Sequence, residues 1–187
     1  MLDSRQDRYG LSWQVMFRGA GEITQKITPM LMFVGERSGK AEEAIRLNTS
    51  VFGNTETGAI LRWGKGEEPE KEGTIKLAAF TLEDQAFAAM DSAQPHDFTF
   101  NEAISLMVAC ETQAEIDYFW QKLTADGGQE SVCGWLKDRF GVSWQVTPTV
   151  LGDMLGDPDK AKVERVTNAF LKTKKFDIEE LKKAYRG

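Results

Sequence analysis

After Gly141 hydrophobic and polar residues alternate without a break. Val142, Trp144 and Val146 fall on one side of an extended chain, Ser143 and Gln145 on the other. Asp138-Arg139-Phe140-Gly141 before them has the make-up of a turn. The apolar side of this strand is expected to pack, and the polar side to present Gln145 to something other than plain core. The same pattern stands near the N-terminus, where Asp7-Arg8-Tyr9-Gly10-Leu11-Ser12-Trp13-Gln14-Val15 matches Asp138–Val146 at seven of nine positions. The chain therefore contains a duplicated unit. The N-terminal copy is expected to add a strand to a sheet edge, in this chain or in a partner. A helical tail follows the second copy.

Between the copies the periodicity changes several times. Residues 27–34 form an apolar run of strand length. A helix is expected over about 40–52, burying Ala41, Ala44, Ile45 and Phe52, with Gly53-Asn54-Thr55 ending it. Strand-like pieces follow at 59–63, 74–82 and 85–90, with a polar Gly/Pro loop after the first and a tight turn at 81–85. The order then recurs. A strand over 104–110 has Ile104, Leu106, Val108 and Cys110 on one face. Thr112 and Glu115 read as a capping box, opening a helix that buries Ile116, Phe119, Trp120 and Leu123 and stops at Gly127-Gly128. Strands at 131–136 and 142–147 complete the second round. In the tail, Asp157-Pro158 reads as a helix start and Asp177 as the cap of a further helix.

Composition narrows the function classes. The chain has 187 residues, 41% of them hydrophobic, enough for one domain or two small similar halves. No apolar run reaches the roughly 18 residues of a membrane span, and the N-terminus lacks the layout of a secretory signal. A cytoplasmic protein is the expectation. Twenty-nine acidic against 23 basic residues give a net charge of −6, which argues against a nucleic-acid partner. The late lysines, Lys172 to Lys183, alternate with acids and read as a solvated helical face. Cys110 and Cys133 are too few for a disulfide framework or a metal knuckle.

The repeated strand–helix–strands order, ending in Asp-x-x-Gly-x-x-x-Gln-hydrophobic, resembles the vicinal-oxygen-chelate (glyoxalase/bleomycin-resistance) superfamily. Within it the chain is similar to the PhnB-like group often labelled 3-demethylubiquinone-9 3-methyltransferase. The segments that carry the resemblance are Ile27–Phe33, Gly39–Ile45, Phe80–Leu82, Phe100–Leu106, Cys133–Asp138 and the repeat itself. It implies an α+β fold of paired βαβββ modules forming a cupped mixed sheet, a homodimer, and a cavity inside each cup. The implied organisation is an appended strand resembling the last strand of another module, with a linker, over 1–23, a glyoxalase-like domain over 24–151, and a helical tail over 152–187.

Metal-dependent members of the superfamily hold a divalent ion with His, Glu or Gln from four strand positions. Carried onto this chain, the first falls near Thr28 or Pro29 and another near Ala88 or Met90, none of them good ligands. Glu102 and Gln145 remain, so no bound metal or other cofactor is expected. If an ion binds, those two residues are its ligands, with water or a partner chain completing the set in a lyase, isomerase or dioxygenase. Methyl transfer from S-adenosylmethionine would need a glycine-rich strand-to-helix turn. Gly19-Ala20-Gly21 is the one similar spot, and no apolar strand precedes it. His96 follows Pro95 in a loop, and Cys133, placed on a strand, has no evident base beside it. What remains is a mixed apolar and polar cavity for a small organic molecule, lined by Met30, Met32, Phe80, Met90, Met107, Trp135, Ser143 and Gln145.

Overall fold

A computed structural model describes residues 3–16 and 25–187. Among the described residues of the chain, the N-terminal copy of the repeat does not add to an edge of either larger sheet. β1 (Asp3–Gln6) and β2 (Ser12–Val15) close an antiparallel hairpin of their own. Asp7 accepts from the backbone N–H groups of Tyr9 and Leu11, which folds the chain back so that β1 and β2 pair with each other. Gly19-Ala20-Gly21 lies outside the described residues.

The two rounds of strand and helix become two four-stranded sheets of one topology. The first contains β3 (Met30–Phe33), α1 (Ala41–Val51), β4 (Glu56–Arg62), β5 (Ile75–Leu82) and β6 (Gln85–Asp91), in the spatial order β3-β6-β5-β4. The second contains β7 (Leu106–Cys110), α2 (Gln113–Thr124), β8 (Gln129–Glu130), β9 (Trp135–Lys137) and β10 (Ser143–Pro148), in the order β7-β10-β9-β8. In each, the first strand runs parallel to the last and the remaining pairs are antiparallel. A strand that returns parallel needs a crossover, and α1 and α2 supply it. The fold is thus α+β with paired βαβββ modules, followed by α3 (Val150–Leu155), α4 (Lys160–Phe170) and α5 (Ile178–Arg186).

Local chemistry explains most boundaries. Glu83 and Asp84 both take left-handed backbone (φ 47° and 61°), as the two-residue turn between β5 and β6 demands. The capping box forms as expected: Thr112 Oγ1 accepts from Glu115 N, and Glu115 Oε2 accepts from Thr112 N. The tail helix α5 is capped by Asp177, whose Oδ1 accepts from Glu180 N at 3.0 Å. For α4, however, the cap is Asp159 and not Asp157. Asp157 is engaged by the Tyr185 hydroxyl, which ties α5 back to the start of α4.

Two strand expectations fail. The 131–136 strand is interrupted, because Cys133 (φ 56°) and Gly134 (φ 80°) form a left-handed turn between β8 and β9. A Cβ on Gly134 would lie 2.7 Å from Val146 O and overlap the Phe176 ring, so only glycine fits. Cys133 is therefore in a turn, not on a strand. The 104–110 strand starts at Leu106, and Ile104 is 61% exposed instead of buried with Val108 and Cys110. The Asn101 side chain accepts from Ala103 N and makes a turn of that stretch.

One core serves both modules and the tail. Each sheet is covered on one face by its own helix, and these helix-bearing sides pack together. Phe52 stacks on Phe119 and Trp144 at ring distances of 5.1 and 5.2 Å. Phe33 meets Phe100 and Phe140 edge-on at 5.1 and 6.3 Å. Leu151, Met154, Val166, Phe176 and Leu181 extend the same cluster into the tail. Within it, Asn48 of α1 is fully buried, and neither side-chain atom has a hydrogen-bond partner among the described residues. An unpaired buried amide costs about 1–3 kcal/mol. Asn48→Leu, close in volume, is expected to raise stability by about 1–2 kcal/mol in a urea titration. A fall in the midpoint would mean that the amide is satisfied after all.

Candidate functional site

The second face of each sheet, away from its helix, is where a site can form. Register decides which side chains reach it. In the first sheet Met30 pairs with Ala88 and Met32 with Met90, so Met30, Met32 and Met90 share this face with Ala79 and Ala86. Phe80 does not join them. It pairs with Phe87, stacks on it at 5.6 Å and is buried on the helix side. In the second sheet Gln145 pairs with Met107 on one side and Trp135 on the other. Ser143 shares their face, but it is buried and its hydroxyl donates to Asn101 O at 3.2 Å. Seven of the eight residues expected to line one cavity therefore stand on two separate sheet faces, and the eighth belongs to the core.

The second-sheet face has the more developed chemistry. A cleft of about 450 Å³ runs along β8 and β9, lined by Glu102, Glu130, Cys133, Trp135 and Lys137. The Lys137 ammonium donates to Glu102 at 2.5 Å and holds its carboxyl below the ordinary range. Glu130 accepts from Trp120 Nε1 at 2.9 Å, and that bond, helped by Lys174, lowers its carboxyl too. Both carboxylates are thus charged at neutral pH, Glu102 beside the Lys137 ammonium on the face of Trp135 and Glu130 on the helix side of the sheet beside the Trp120 indole. Gln145 Nε2 donates to Ser105 Oγ at 2.7 Å, which fixes its amide on this face. Lys137 and Ser105 escape sequence reading, because only the β9–β10 register and the turn before β7 bring them to Trp135 and Gln145.

The turn that aims β10 rests on Asp138. Its Oδ1 accepts from Phe140 N and Val142 N at 2.9 and 3.0 Å, and Oδ2 from Trp144 Nε1 at 3.1 Å. Burial pushes this carboxyl above its ordinary value, against the pull of those donors. In the first module Asp91 plays a comparable part: it accepts from Gly39 N, Ala41 N and Ile75 N and so joins the start of α1 to β5.

The donor set does not fit a divalent ion. Among the described residues no three His, Cys, Asp or Glu side chains converge. Glu102 is neutralised by Lys137, and the Gln145 amide is bonded to Ser105. His96 Nε2 lies 3.1 Å from Ser92 Oγ, whose hydroxyl donates to the buried Glu70. Cys110 is fully buried, with its thiol pushed up to about 11, chiefly by desolvation. Cys133 Sγ faces Phe170 O at 3.8 Å. None of these arrangements is a nucleophile–base pair. Nor is any helix of the described residues long and apolar enough to cross a membrane.

Comparisons with known proteins agree with the fold. The model of a family described as 3-demethylubiquinone-9 3-methyltransferase matches residues 25–147. Among solved structures, the PhnB protein from Bacillus cereus is 44% identical, over 67% of this chain and 100% of its own, with a TM-score of 0.60. Protein PA1353 from Pseudomonas aeruginosa is 24% identical, over 67% and 98%, with a TM-score of 0.55, a likeness of fold. No curated protein matches the chain.

Proposed function

We propose, from the premise that this chain belongs to the 3-demethylubiquinone-9 3-methyltransferase family of PhnB-like proteins, that it binds a small organic molecule without a metal, as a homodimer. The observation that carries this reading is the cleft beside Trp135. About 450 Å³ is within the range of small-molecule sites. An indole beside one ammonium and one paired carboxylate suits a flat, partly apolar ligand with a polar or anionic edge. No residue there is poised as a nucleophile or general base, so binding is the activity inferred. The domain that does this spans 24–151, as the extent of the family match suggests.

The homodimer is supported by the incompletely buried methionines of the second faces. Met107 is 65% exposed on the second sheet. Met30, Met32 and Met90 are only half-buried on the first. Placing one copy's second-sheet face over the other's first-sheet face would bury both sets and deepen the cleft.

The test is a titration of planar aromatic carboxylates and phenols against the full chain, read by thermal shift and tryptophan quenching, with Mn²⁺, Ni²⁺, Zn²⁺ and Fe²⁺ in parallel. A saturable ligand at a hundred times its dissociation constant should add about 2.7 kcal/mol of stability. Trp135→Ala should weaken binding at least tenfold with little change in melting. A stoichiometric ion, or a saturable shift with any of the four metals, would replace this reading with metal-assisted chemistry.

A further inference from the structure

The hairpin that recurs in the sequence recurs in space, bond for bond. In the N-terminal copy Asp7 Oδ1 accepts from Tyr9 N at 2.9 Å and from Leu11 N at 3.0 Å, and Oδ2 accepts from Trp13 Nε1 at 3.0 Å. Asp138 makes the same three bonds to Phe140, Val142 and Trp144. Both turns are closed by the same two backbone bonds, Asp7 N to Leu11 O and Gly10 N to Asp7 O in one, Asp138 N to Val142 O and Gly141 N to Asp138 O in the other. Trp13 pairs with Arg5 across the first hairpin as Trp144 pairs with Leu136 across the second. Gln14 and Gln145 therefore occupy equivalent positions.

Their surroundings differ in an informative way. Gln145 stands on the second face of its own sheet. Gln14 lies against the second face of the other sheet: its Nε2 donates to Met90 Sδ at 3.9 Å, and its Oε1 is sealed from solvent with no partner among the described residues. Among the described residues of the hairpin, the engaged side chain is Gln14 on the polar side. Tyr9, Trp13 and Val15 are 76%, 40% and 66% exposed, whereas Phe140, Trp144 and Val146 are 3% exposed or less. The hairpin thus meets the first-sheet face at Met90, with the side that, in β10, carries Gln145.

We infer that β1–β2 is an internal occupant of the first-sheet face, seated where the β9–β10 hairpin of a second copy would sit, so that the chain carries a competitor of its own dimerisation. The inference rests on the homodimer reading above. The seated replica is what identifies the occupant, since a hairpin with the same turn, register and Gln side already lies on that face. A tethered segment works at an effective concentration near the millimolar range, so even a shallow contact can hold off a free copy in dilute solution. The contact is also easily given up. Among the described residues, every buried residue of the hydrophobic core lies between Leu31 and Leu181, so a chain beginning at residue 24 keeps those residues.

Sedimentation equilibrium of three proteins tests this: the full chain, the full chain with Asp7→Ala, which opens the turn, and the chain starting at residue 24. The expected result is a dimer dissociation constant lowered about tenfold or more in both altered proteins, at unchanged core melting. Adding Met90→Lys to the shortened chain should abolish the gain. Equal dissociation constants in all three would overturn the competitor and leave the homodimer standing. Monomers in all three would remove both readings, while ligand binding at Trp135 stays separately measurable. Weaker association on losing the hairpin would reverse the inference and make β1–β2 part of the dimer contact.

Discussion

Asp138→Ala is expected to lower the unfolding free energy by about 3–5 kcal/mol, because it strands two backbone N–H groups and one indole N–H in a place water cannot reach. The carboxylate is 3% exposed and accepts from Phe140, Val142 and Trp144. The molecule holds its own control. Asp7 makes the same three bonds, but its hairpin is exposed, so water replaces whatever alanine fails to supply. Asp7→Ala should leave the midpoint of denaturation nearly where it was. Urea titrations of both variants give the comparison directly. Equal losses would mean that burial does not set the value of these bonds.

Acid adds a second arm to this prediction. Burial raises the Asp138 carboxyl above its ordinary 3.8, so the folded state holds this proton more tightly than the unfolded chain does. The resulting stabilisation is fully present below about pH 3.8 and is lost as pH rises through the folded value. Asp138→Asn cannot titrate. The stability of the wild type minus that of the Asn variant should therefore fall as pH is raised from about 3.8, then level off. A difference that grows with pH would mean that the three donors outweigh desolvation.

Phe33→Ala is the other large effect, about 3–5 kcal/mol for a fully buried ring. Phe33 sits on the first sheet, and its ring neighbours Phe100 and Phe140 come from the second half of the chain. The loss should appear as one cooperative transition shifted as a whole. Two transitions, one of them unmoved, would mean that the modules fold independently despite their shared core.

Local and periodic features were readable in advance. The two strand–helix–strands rounds, the Thr112–Glu115 box, the Asp177 cap and the buried side of β10 all depend on residues within a few positions of one another, and the duplication on two short segments compared. The order of elements followed from them. The missed features depend on groups distant in sequence. Asp159 caps α4 because Asp157 is engaged by Tyr185, 28 residues on. Cys133 leaves the strand because Gly134 must pass beneath Phe176.

The candidate site divides along the same line. Alternation correctly set Gln145 and Trp144 on opposite sides of one strand, since neighbouring Cβ atoms on an extended chain point to opposite faces. It could not say that Phe80 pairs with Phe87 and so turns away from Met90, nor that Lys137 reaches Glu102. Those outcomes belong to strand register, which shifts every side chain to the other face when it slips by one residue. By itself the sequence determined two modules, their helices and the repeated hairpin, because each is specified by short-range pattern. Which faces meet was decided only in three dimensions: the helix sides share a core of Phe33, Phe52 and Trp144, the Gln14 hairpin lies over Met90, and the Trp135 face stays open, because these contacts are made between residues the chain keeps far apart.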